Sequence, residues 1–373
     1  MPGRHAKIDP EGLLEYSVVF TDRSLNHMSG RFQDTLLEVV GTLKEVYNAS
    51  GVALVPGGGT FAMEAVARQF VHDDPVVVLR NGWFSFRWSQ ILETAGLTQN
   101  ITVLKAAQQC AHTTAPFAPA PLDEVVARIH EEQPAVVFAP HVETAAGIML
   151  PDDYVRAVGE ATRAVGGLFV LDCIASGTVW VDMQALNVDV LISAPQKGWS
   201  GTPCAGLVML GERAERALEQ TTSSSFAADL KKWREIISAY ENGGHAYHAT
   251  MPTDGIVQLA RTMAETRALG FDEAKAAQLE LGRRVRELLS QRGFVSVAAQ
   301  GFEAPGVVVS YSPDAQLAAR FAAAGLQVAA GVPLQCDEPA DFQTFRVGLF
   351  GLDKLTDIPT TVEHLANALD QIG

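Results

Sequence analysis

Short apolar runs rich in β-branched residues recur between residues 51 and 211. They read GVALVPG, PVVVLRNG, NITVLKA, PAVVFAPHV, GLFVLDCI, DVLISAPQ and AGLVMLG. These runs lack polar alternation, so we predict strands that are covered on both faces. Segments with apolar residues three and four positions apart, such as TFAMEAVARQFV, separate most of them and predict helices. The alternation predicts an α/β fold with a mostly parallel, doubly wound sheet of seven strands.

The pattern changes in the last third of the chain. It predicts a long amphipathic helical stretch from about 256 to 292, short strands at FVSVAA, GVVVSYS and TFRVGLF, and a last helix near 360–372. We therefore predict three parts. They are an N-terminal segment over 1–24, a large domain over 25–250 and a smaller C-terminal α+β domain over 251–373.

Composition narrows the class of protein. Of the 373 residues, 47% are hydrophobic and 19% are charged, which suits a large core, and the formal net charge is −15. An acidic chain without a basic run disfavours nucleic acid and membrane as partners. The four cysteines form no CxxC pair, no HExxH or Cys/His cluster occurs, and no signal-peptide h-region is evident. We expect reduced thiols, no metal and a cytoplasmic location.

A run of glycines follows the first predicted strand, in PGGGTFAMEA. Three glycines let backbone amides approach a ligand closely, and the N-terminus of the next helix favours an anion, most naturally a phosphate. We predict that Thr60 caps this helix and binds that phosphate, with a plain tight turn as the alternative. The run matches neither GxxxxGK[ST] nor GxGxxG, which disfavours the nucleotide loops of those two kinds.

Two charged residues follow later predicted strands. Asp172 closes GLFVL, where a carboxylate is costly unless it caps a helix or meets a cation such as a ring nitrogen. Lys197 follows DVLISAPQ, and is either a surface charge or a partly desolvated amine able to form a Schiff base. Ligands of open α/β sheets collect at the carboxyl ends of the strands. A phosphate loop, a ring-nitrogen partner and an imine-forming lysine at one edge are what pyridoxal 5′-phosphate requires.

The chain resembles the class V aminotransferases, which are fold-type I pyridoxal-phosphate enzymes, and in particular their alanine–glyoxylate and serine–pyruvate branch. The segments VPGGGTFAMEAV, PHVETAAGIMLP, LDCIASGTVWVDMQALNVDVLISAPQKGW and FRVGLFG occur in the family's order and spacing. The resemblance implies a homodimer with shared active sites. It also implies transfer of an amino group from a small amino acid, alanine or serine-like, to a 2-oxo acid such as glyoxylate or pyruvate.

The resemblance further implies the residues at the two ends of the cofactor. Gly58, Gly59 and Thr60 match the family's phosphate loop. Asp172 matches the carboxylate that keeps the ring nitrogen protonated, and Lys197 matches the Schiff-base lysine.

Contacts to the cofactor ring are implied in the same way. Phe84 matches the aromatic residue that stacks on the ring, with Trp83 as the competitor and core packing as the alternative for either. Ile174 matches an apolar residue against the opposite face. Thr144 and Gln196 match polar side chains that contact the cofactor.

Two further segments match the substrate and dimer contacts. In AYHATMP, Tyr247 and Thr250 match residues that bind the phosphate of the neighbouring subunit's cofactor, and linker packing is the alternative. In FRVGLFG, Arg346 matches the arginine that holds the substrate α-carboxylate, for which a planar guanidinium is well suited. A structural ion pair is the alternative for that arginine.

Three other functions would use some of the same residues. A phosphoserine or 2-aminoethylphosphonate transaminase would need cations for the phosphorus oxygens, and we interpret the candidates, Arg23 and Arg87, as surface or structural ions. A cysteine desulfurase would need a nucleophilic thiol, but acidic neighbours disfavour Cys336, and Gln196 stands where desulfurases carry histidine. A regulator without catalysis would not need the whole set of site residues.

One segment departs from the family pattern. Relatives carry a Gly-Pro-rich segment near the N-terminus that lines the substrate pocket, whereas this chain reads EYSVVFTDRSLNHMS. We predict that pocket-lining residues come instead from Tyr16, Phe20, Arg23, Asn26 or His27.

Overall fold

A computed structural model describes residues 8–372. The strands are β1 (Gly51–Pro56), β2 (Val76–Arg80), β3 (Ile101–Lys105), β4 (Ala107–Gln108), β5 (Phe117–Ala118), β6 (Val136–Pro140), β7 (Val142–Glu143), β8 (Ile148–Met149), β9 (Leu168–Asp172), β10 (Val190–Ser193), β11 (Ala205–Leu210), β12 (Val307–Tyr311), β13 (Ala329–Ala330) and β14 (Thr344–Gly348). The helices are α1 (Gly30–Tyr47), α2 (Gly59–Phe70), α3 (Trp83–Thr94), α4 (Leu122–Glu132), α5 (Asp152–Ala164), α6 (Glu212–Gln220), α7 (Leu230–Glu241), α8 (Thr253–Leu269), α9 (Phe271–Gln291), α10 (Leu317–Ala323), α11 (Leu352–Thr356) and α12 (Ile358–Ile372).

The seven apolar runs form one sheet, in the order β1-β11-β10-β9-β6-β2-β3. All neighbouring strands are parallel except at β11, which is antiparallel to both β1 and β10. Every residue of β2, β6 and β11 is buried, because both faces of the sheet are covered. The predicted α/β architecture with a mostly parallel seven-stranded sheet is confirmed.

The C-terminal part forms a second, three-stranded antiparallel sheet in the order β12-β14-β13. A separate hydrophobic cluster forms where strands β12 and β14 of this sheet pack against helices α9 and α12. The segments GVVVSYS and TFRVGLF are strands, as predicted, but FVSVAA is not. Its residues bond partly to β12 and partly to Phe117, so only isolated bridges form.

The long helical stretch is divided into α8 and α9. The chain breaks at Gly270, whose φ of 100° lies outside the range of a right-handed helix. Helix α8 packs against α1 and contributes Ile256, Leu259 and Met263 to the main core, whereas α9 joins the C-terminal cluster. The division at residue 250 stays a prediction.

The N-terminal segment precedes α1 without regular secondary structure over residues 8–29. Its first seven residues lie outside the described part. Hydrogen bonds attach the remainder: Leu25 N donates to Asp254 Oδ1 at 3.1 Å, and Asn26 Nδ2 donates to Glu15 Oε2 at 2.7 Å. Within residues 8–372, no helix is both long and apolar enough to cross a membrane.

Candidate active site

The ends of three parallel strands define the site. Because β1, β9 and β10 run in the same direction, their carboxyl ends lie at one edge of the sheet. Asp172 is the last residue of β9 and pairs with Ile192 of β10 on one side and Pro140 of β6 on the other. The glycine loop follows β1, and Lys197 follows β10. The topology therefore places these predicted groups at a common edge.

Asp172 is a buried carboxylate with little hydrogen bonding. Its side chain accepts one hydrogen bond in the described part of the chain, from the backbone N–H of Ile174 at 2.9 Å. The pKa of Asp172 is raised to about 7, chiefly by burial and also by the nearby Glu143, while the hydrogen bond from Ile174 and the charges of Arg87 and Lys197 lower it. A cation donating a hydrogen bond to Asp172 would relieve this cost, which is what a protonated ring nitrogen does.

Lys197 carries an amine that is free to react. It is half-buried, and in residues 8–372 its Nζ makes neither a hydrogen bond nor an ion pair, lying 5.1 Å from the centroid of the Phe350 ring. Burial lowers the pKa of Lys197, and the positive charges of Arg346 and Arg87 lower it further, while Asp172 opposes them. A lowered pKa increases the fraction of neutral amine, the nucleophilic form.

The glycine loop turns sharply into α2. Gly57 has a φ of 121°, and a Cβ on Gly59 would lie 2.4 Å from Cδ1 of Ile174. Ile174 therefore lies directly against the loop. The prediction that Thr60 caps the helix is wrong: Gly58 is the N-cap and Thr60 lies inside the first turn. Its Oγ1 instead accepts a hydrogen bond from Nη1 of Arg87 at 3.0 Å.

Phe84 and Trp83 both begin α3, but their rings have different surroundings. The guanidinium carbons of Arg87 and Arg346 lie 4.7 Å and 5.8 Å from the centroid of the Phe84 ring. The Trp83 ring contacts Phe86, at 5.9 Å between centroids. Phe84 is therefore the one of the two whose ring borders these arginines.

Arg346 comes to the site from β14 of the small sheet. Its Nε donates to the backbone oxygen of Ala330 at 3.1 Å. No carboxylate of residues 8–372 forms an ion pair with it, which differs from the structural alternative considered above. Burial lowers the pKa of Arg346 and Glu143 raises it. The guanidinium keeps donors for a ligand carboxylate.

Sequence reasoning missed Glu143, which is fully buried beside the site. Its carboxylate accepts hydrogen bonds from the backbone N–H groups of Phe84 (3.2 Å), Ser85 (2.9 Å) and Ala145 (2.9 Å), and from Ser85 Oγ (2.6 Å). It thus satisfies the N-terminus of α3, whose first turn holds no acidic residue, and positions Phe84. The one signal in the sequence was a glutamate next to Thr144 in HVETAAG.

Within residues 8–372, no hydrogen bond or ion pair joins the remaining predicted residues to this group. Thr144 is half-buried and Gln196 is exposed. Tyr247 and Thr250 are exposed and hydrogen-bond to each other at 3.2 Å. The Tyr247 ring lies 5.7 Å from that of His27. These assignments remain predictions.

The structure disfavours the cysteine desulfurase. Cys336 is 5% exposed, and burial together with Glu143 and Glu338 raises the pKa of its thiol to about 12, unlike a reactive nucleophile.

The arrangement suits pyridoxal 5′-phosphate. A buried carboxylate without a cationic hydrogen-bond donor, a free lysine amine, a glycine loop at a helix N-terminus and a flat aromatic ring lie around one edge of the sheet. This fold and site define a fold-type I pyridoxal-phosphate enzyme.

Comparison with known proteins specifies the family. The model of the class V aminotransferase family matches residues 13–332, and the chain belongs to this family. The protein is therefore an aminotransferase that depends on pyridoxal 5′-phosphate. The chain is 30% identical over 322 residues to a 2-aminoethylphosphonate–pyruvate transaminase of Burkholderia ambifaria, covering 85% of this chain and 81% of that one.

Two further proteins are similar over most of their length. A 2-aminoethylphosphonate–pyruvate transaminase of Syntrophobacter fumaroxidans is 26% identical over 86% of this chain and 83% of its own. The crystal structure of an alanine–glyoxylate aminotransferase from Nostoc sp. superposes with a TM-score of 0.78 at 22% identity, covering 93% of this chain and 88% of that chain. The structural likeness establishes the fold.

Proposed function

We propose that this aminotransferase moves the amino group of a small amino acid, alanine or serine-like, to a 2-oxo acid such as glyoxylate or pyruvate. One observation carries the proposal: Lys197, whose Nζ makes no hydrogen bond or ion pair within residues 8–372, follows β10 beside the strand that ends in Asp172. Arg346, which has no acidic partner in the same residues, lies over the Phe84 ring. An amine, a carboxylate and a carboxylate-binding cation in one pocket suit an α-amino acid as substrate.

Each residue then has a defined task. When bound, pyridoxal 5′-phosphate supplies an aldehyde and a ring that withdraws electrons. Asp172 would hold the proton on the ring nitrogen of the bound cofactor, and Lys197 Nζ would remove the proton from the substrate Cα. Arg346 would bind the α-carboxylate. Phe84 and Ile174 would exclude water from the cofactor ring.

Borohydride reduction of the purified enzyme tests the assignment of Lys197. We expect the cofactor to become covalently fixed to Lys197 Nζ, as read by peptide mass, and Lys197→Ala to lose transamination. Lys232→Ala is the control, because Lys232 lies on the surface of α7 in an ion pair with Glu235. Full turnover in Lys197→Ala, or label on another lysine, would overturn the proposal.

Transfer from 2-aminoethylphosphonate or phosphoserine is a second candidate. It is supported by the names of the relatives and by Arg87, a cation of the pocket that makes no ion pair among the described residues. A panel of alanine, serine, 2-aminoethylphosphonate and phosphoserine, each with glyoxylate, pyruvate and 2-oxoglutarate, decides between the two. The higher kcat/KM identifies the donor.

A homodimer with shared active sites also belongs to the proposal. Tyr247 is 54% exposed, although it is a large aromatic residue, and Leu13, Tyr16 and Val18 of the N-terminal segment are at least 89% exposed. Exposed apolar groups of this kind support a contact surface. In the dimer, Tyr247 and Thr250 reach the phosphate of the neighbouring cofactor.

The four cysteines are free thiols, which supports a reducing, cytoplasmic location.

A further inference from the structure

Arg87 carries an uncompensated charge at the active site. Its Nη1 donates to Thr60 Oγ1 at 3.0 Å, and its guanidinium lies over the Phe84 ring at 4.7 Å. No Asp or Glu of residues 8–372 forms an ion pair with it. The chain contains 43 acidic residues against 28 lysines and arginines, so a shortage of carboxylates is not the reason. The missing acidic partner does not support the interpretation of Arg87 as a structural ion pair, and that interpretation stays a prediction.

The donors of Arg87 remain mostly unused. A guanidinium has five N–H donors in one plane, and the hydrogen bond to Thr60 engages one of them. Contact with the flat face of Phe84 restricts the tilt of that plane. Its free edge can then donate two parallel hydrogen bonds to a tetrahedral oxyanion, which a lysine in the same place could not do.

Position separates Arg87 from the other arginine of the pocket. Arg87 is bonded to the first turn of α2, whereas Arg346 is bonded to β13 through Ala330. Both guanidiniums approach the same Phe84 ring. The pocket thus presents two distinct cations. Arg346 serves the α-carboxylate, which leaves Arg87 for a second anionic group.

We propose that Arg87, together with Thr60, binds a tetrahedral phosphorus oxyanion of a ligand in the active site. This inference rests on the proposed function, since it requires a bound cofactor or substrate. Two ligands can supply that group: the phosphate of pyridoxal 5′-phosphate, or the phosphonate or phosphate of an amino donor. The recognition chemistry is the same for both.

The experiment uses Arg87→Gln and Arg87→Lys, with Arg128→Gln as the control. Arg128 is an arginine of α4 paired with Glu131 and Glu132 away from the site. For each protein, the dissociation constants of pyridoxal 5′-phosphate and of pyridoxal, which lacks the phosphate, are measured after cofactor removal. In the holoenzyme, the dissociation constants of 2-aminoethylphosphonate and of alanine are measured by absorbance.

The two sources predict different outcomes. If Arg87 binds the cofactor phosphate, Arg87→Gln lowers the affinity for pyridoxal 5′-phosphate by about tenfold to a hundredfold and leaves the affinity for pyridoxal unchanged. If Arg87 binds the donor, Arg87→Gln lowers the affinity for 2-aminoethylphosphonate and leaves the affinities for alanine and the cofactor unchanged. Arg87→Lys retains part of the affinity in either case. Equal changes for the ligands with and without phosphorus, or no change, would overturn the inference.

The proposed function is judged separately. Borohydride labelling of Lys197 in Arg87→Gln, at saturating cofactor, reports whether the lysine still bonds to the aldehyde. If Lys197 is labelled and the affinities for the phosphorus-containing ligands are unchanged, only the proposed role of Arg87 is rejected. Absence of labelling in the unsubstituted enzyme rejects the proposed function itself.

Discussion

Single side chains in this protein act through charges that have few partners. Asp172, Lys197, Arg346 and Arg87 form no ion pair among the described residues. The two arginines lower the pKa of Lys197, which Asp172 raises, and Arg87 and Lys197 lower the pKa of Asp172. Burial makes this arrangement costly, because each charge has lost part of its hydration. A ligand with a protonated ring nitrogen, an aldehyde and oxyanions would offer each of these groups a partner.

Asp172 makes the stability of the cofactor-free protein depend on pH. The pKa of Asp172 in the folded protein is about 7, above its ordinary value of 3.8, so folding favours the protonated form. Its contribution to stability is therefore complete at low pH and is lost as the pH rises through 7. We expect Asp172→Asn to be more stable than the unsubstituted apoprotein at pH 8, by roughly 1–4 kcal/mol, with little difference at pH 4.

Denaturant unfolding of the two apoproteins at several pH values measures this difference. The asparagine can still accept the hydrogen bond from Ile174 N, so packing is conserved. A stability difference that is independent of pH would contradict the assignment.

Glu143 should be essential for the start of α3. Glu143→Ala leaves three backbone N–H groups, two of them buried, without their acceptor, and we expect the free energy of unfolding to fall by about 3 kcal/mol or more. Glu131→Ala, at an exposed ion pair on α4, should change it by less than about 1 kcal/mol. Chemical denaturation compares them, and equal losses would refute the role of Glu143.

At the scale of elements, the ends of strands and helices carry the chemistry and their interiors carry the core. β9 and β10 are buried along almost their whole length. Asp172 is the last residue of β9, and Lys197 lies in the loop that follows β10. Helix α2 begins directly after the glycine loop, and α3 begins with Phe84 in its first turn. Changes of backbone direction are therefore where substitutions should have large effects.

The break between α8 and α9 gives one such prediction. Gly270 has a φ of 100°, a conformation that side chains disfavour, so Gly270→Ala should destabilise the protein by about 1–3 kcal/mol. Gly41→Ala is the opposite case, because Gly41 lies within α1 and a Cβ there meets nothing within 4 Å. We expect Gly41→Ala to stabilise by about 0.5–1 kcal/mol. Thermal unfolding of both variants measures these changes in stability, and two changes in the same direction would contradict the prediction.

For the whole molecule, the candidate active site draws on both sheets of the chain. Arg346 comes from β14 of the small sheet, whereas Asp172 ends β9 of the large one. The cluster of Phe20, His27, His245 and Tyr247 lies together outside this group, with neighbouring ring centroids 5.6–5.7 Å apart. We expect this cluster to lie at the contact between subunits in the proposed dimer.

Mixing two impaired variants tests the dimer. Lys197→Ala lacks the amine, and a Tyr247→Ala, Thr250→Ala double variant lacks the loop contacts. If the loop acts across the interface, a mixed dimer contains one site with both elements intact, and co-expression should restore up to half of the activity per dimer. If the loop acts within its own protomer, every site stays impaired and no activity returns. Tagged purification isolates the mixed species.

The sequence by itself determined the strands of the large sheet and the residues at their ends. Apolar runs covered on both faces have a local signature, and parallel strands bring their carboxyl ends to one edge wherever they lie in the chain. Asp172, Lys197 and the glycine loop could therefore be predicted from local patterns together with a family resemblance.

Only the tertiary structure decided which side chains meet at that edge. Glu143 reaches the start of α3, Arg87 reaches Thr60, and Phe84 rather than Trp83 borders the arginines, all through contacts between segments distant in the chain. Long-range contacts also explain why FVSVAA does not form a strand: some of its backbone groups hydrogen-bond to β12 and others to Phe117. Long-range packing sets the direction of a side chain and the partner of a backbone group, and neither leaves a local pattern.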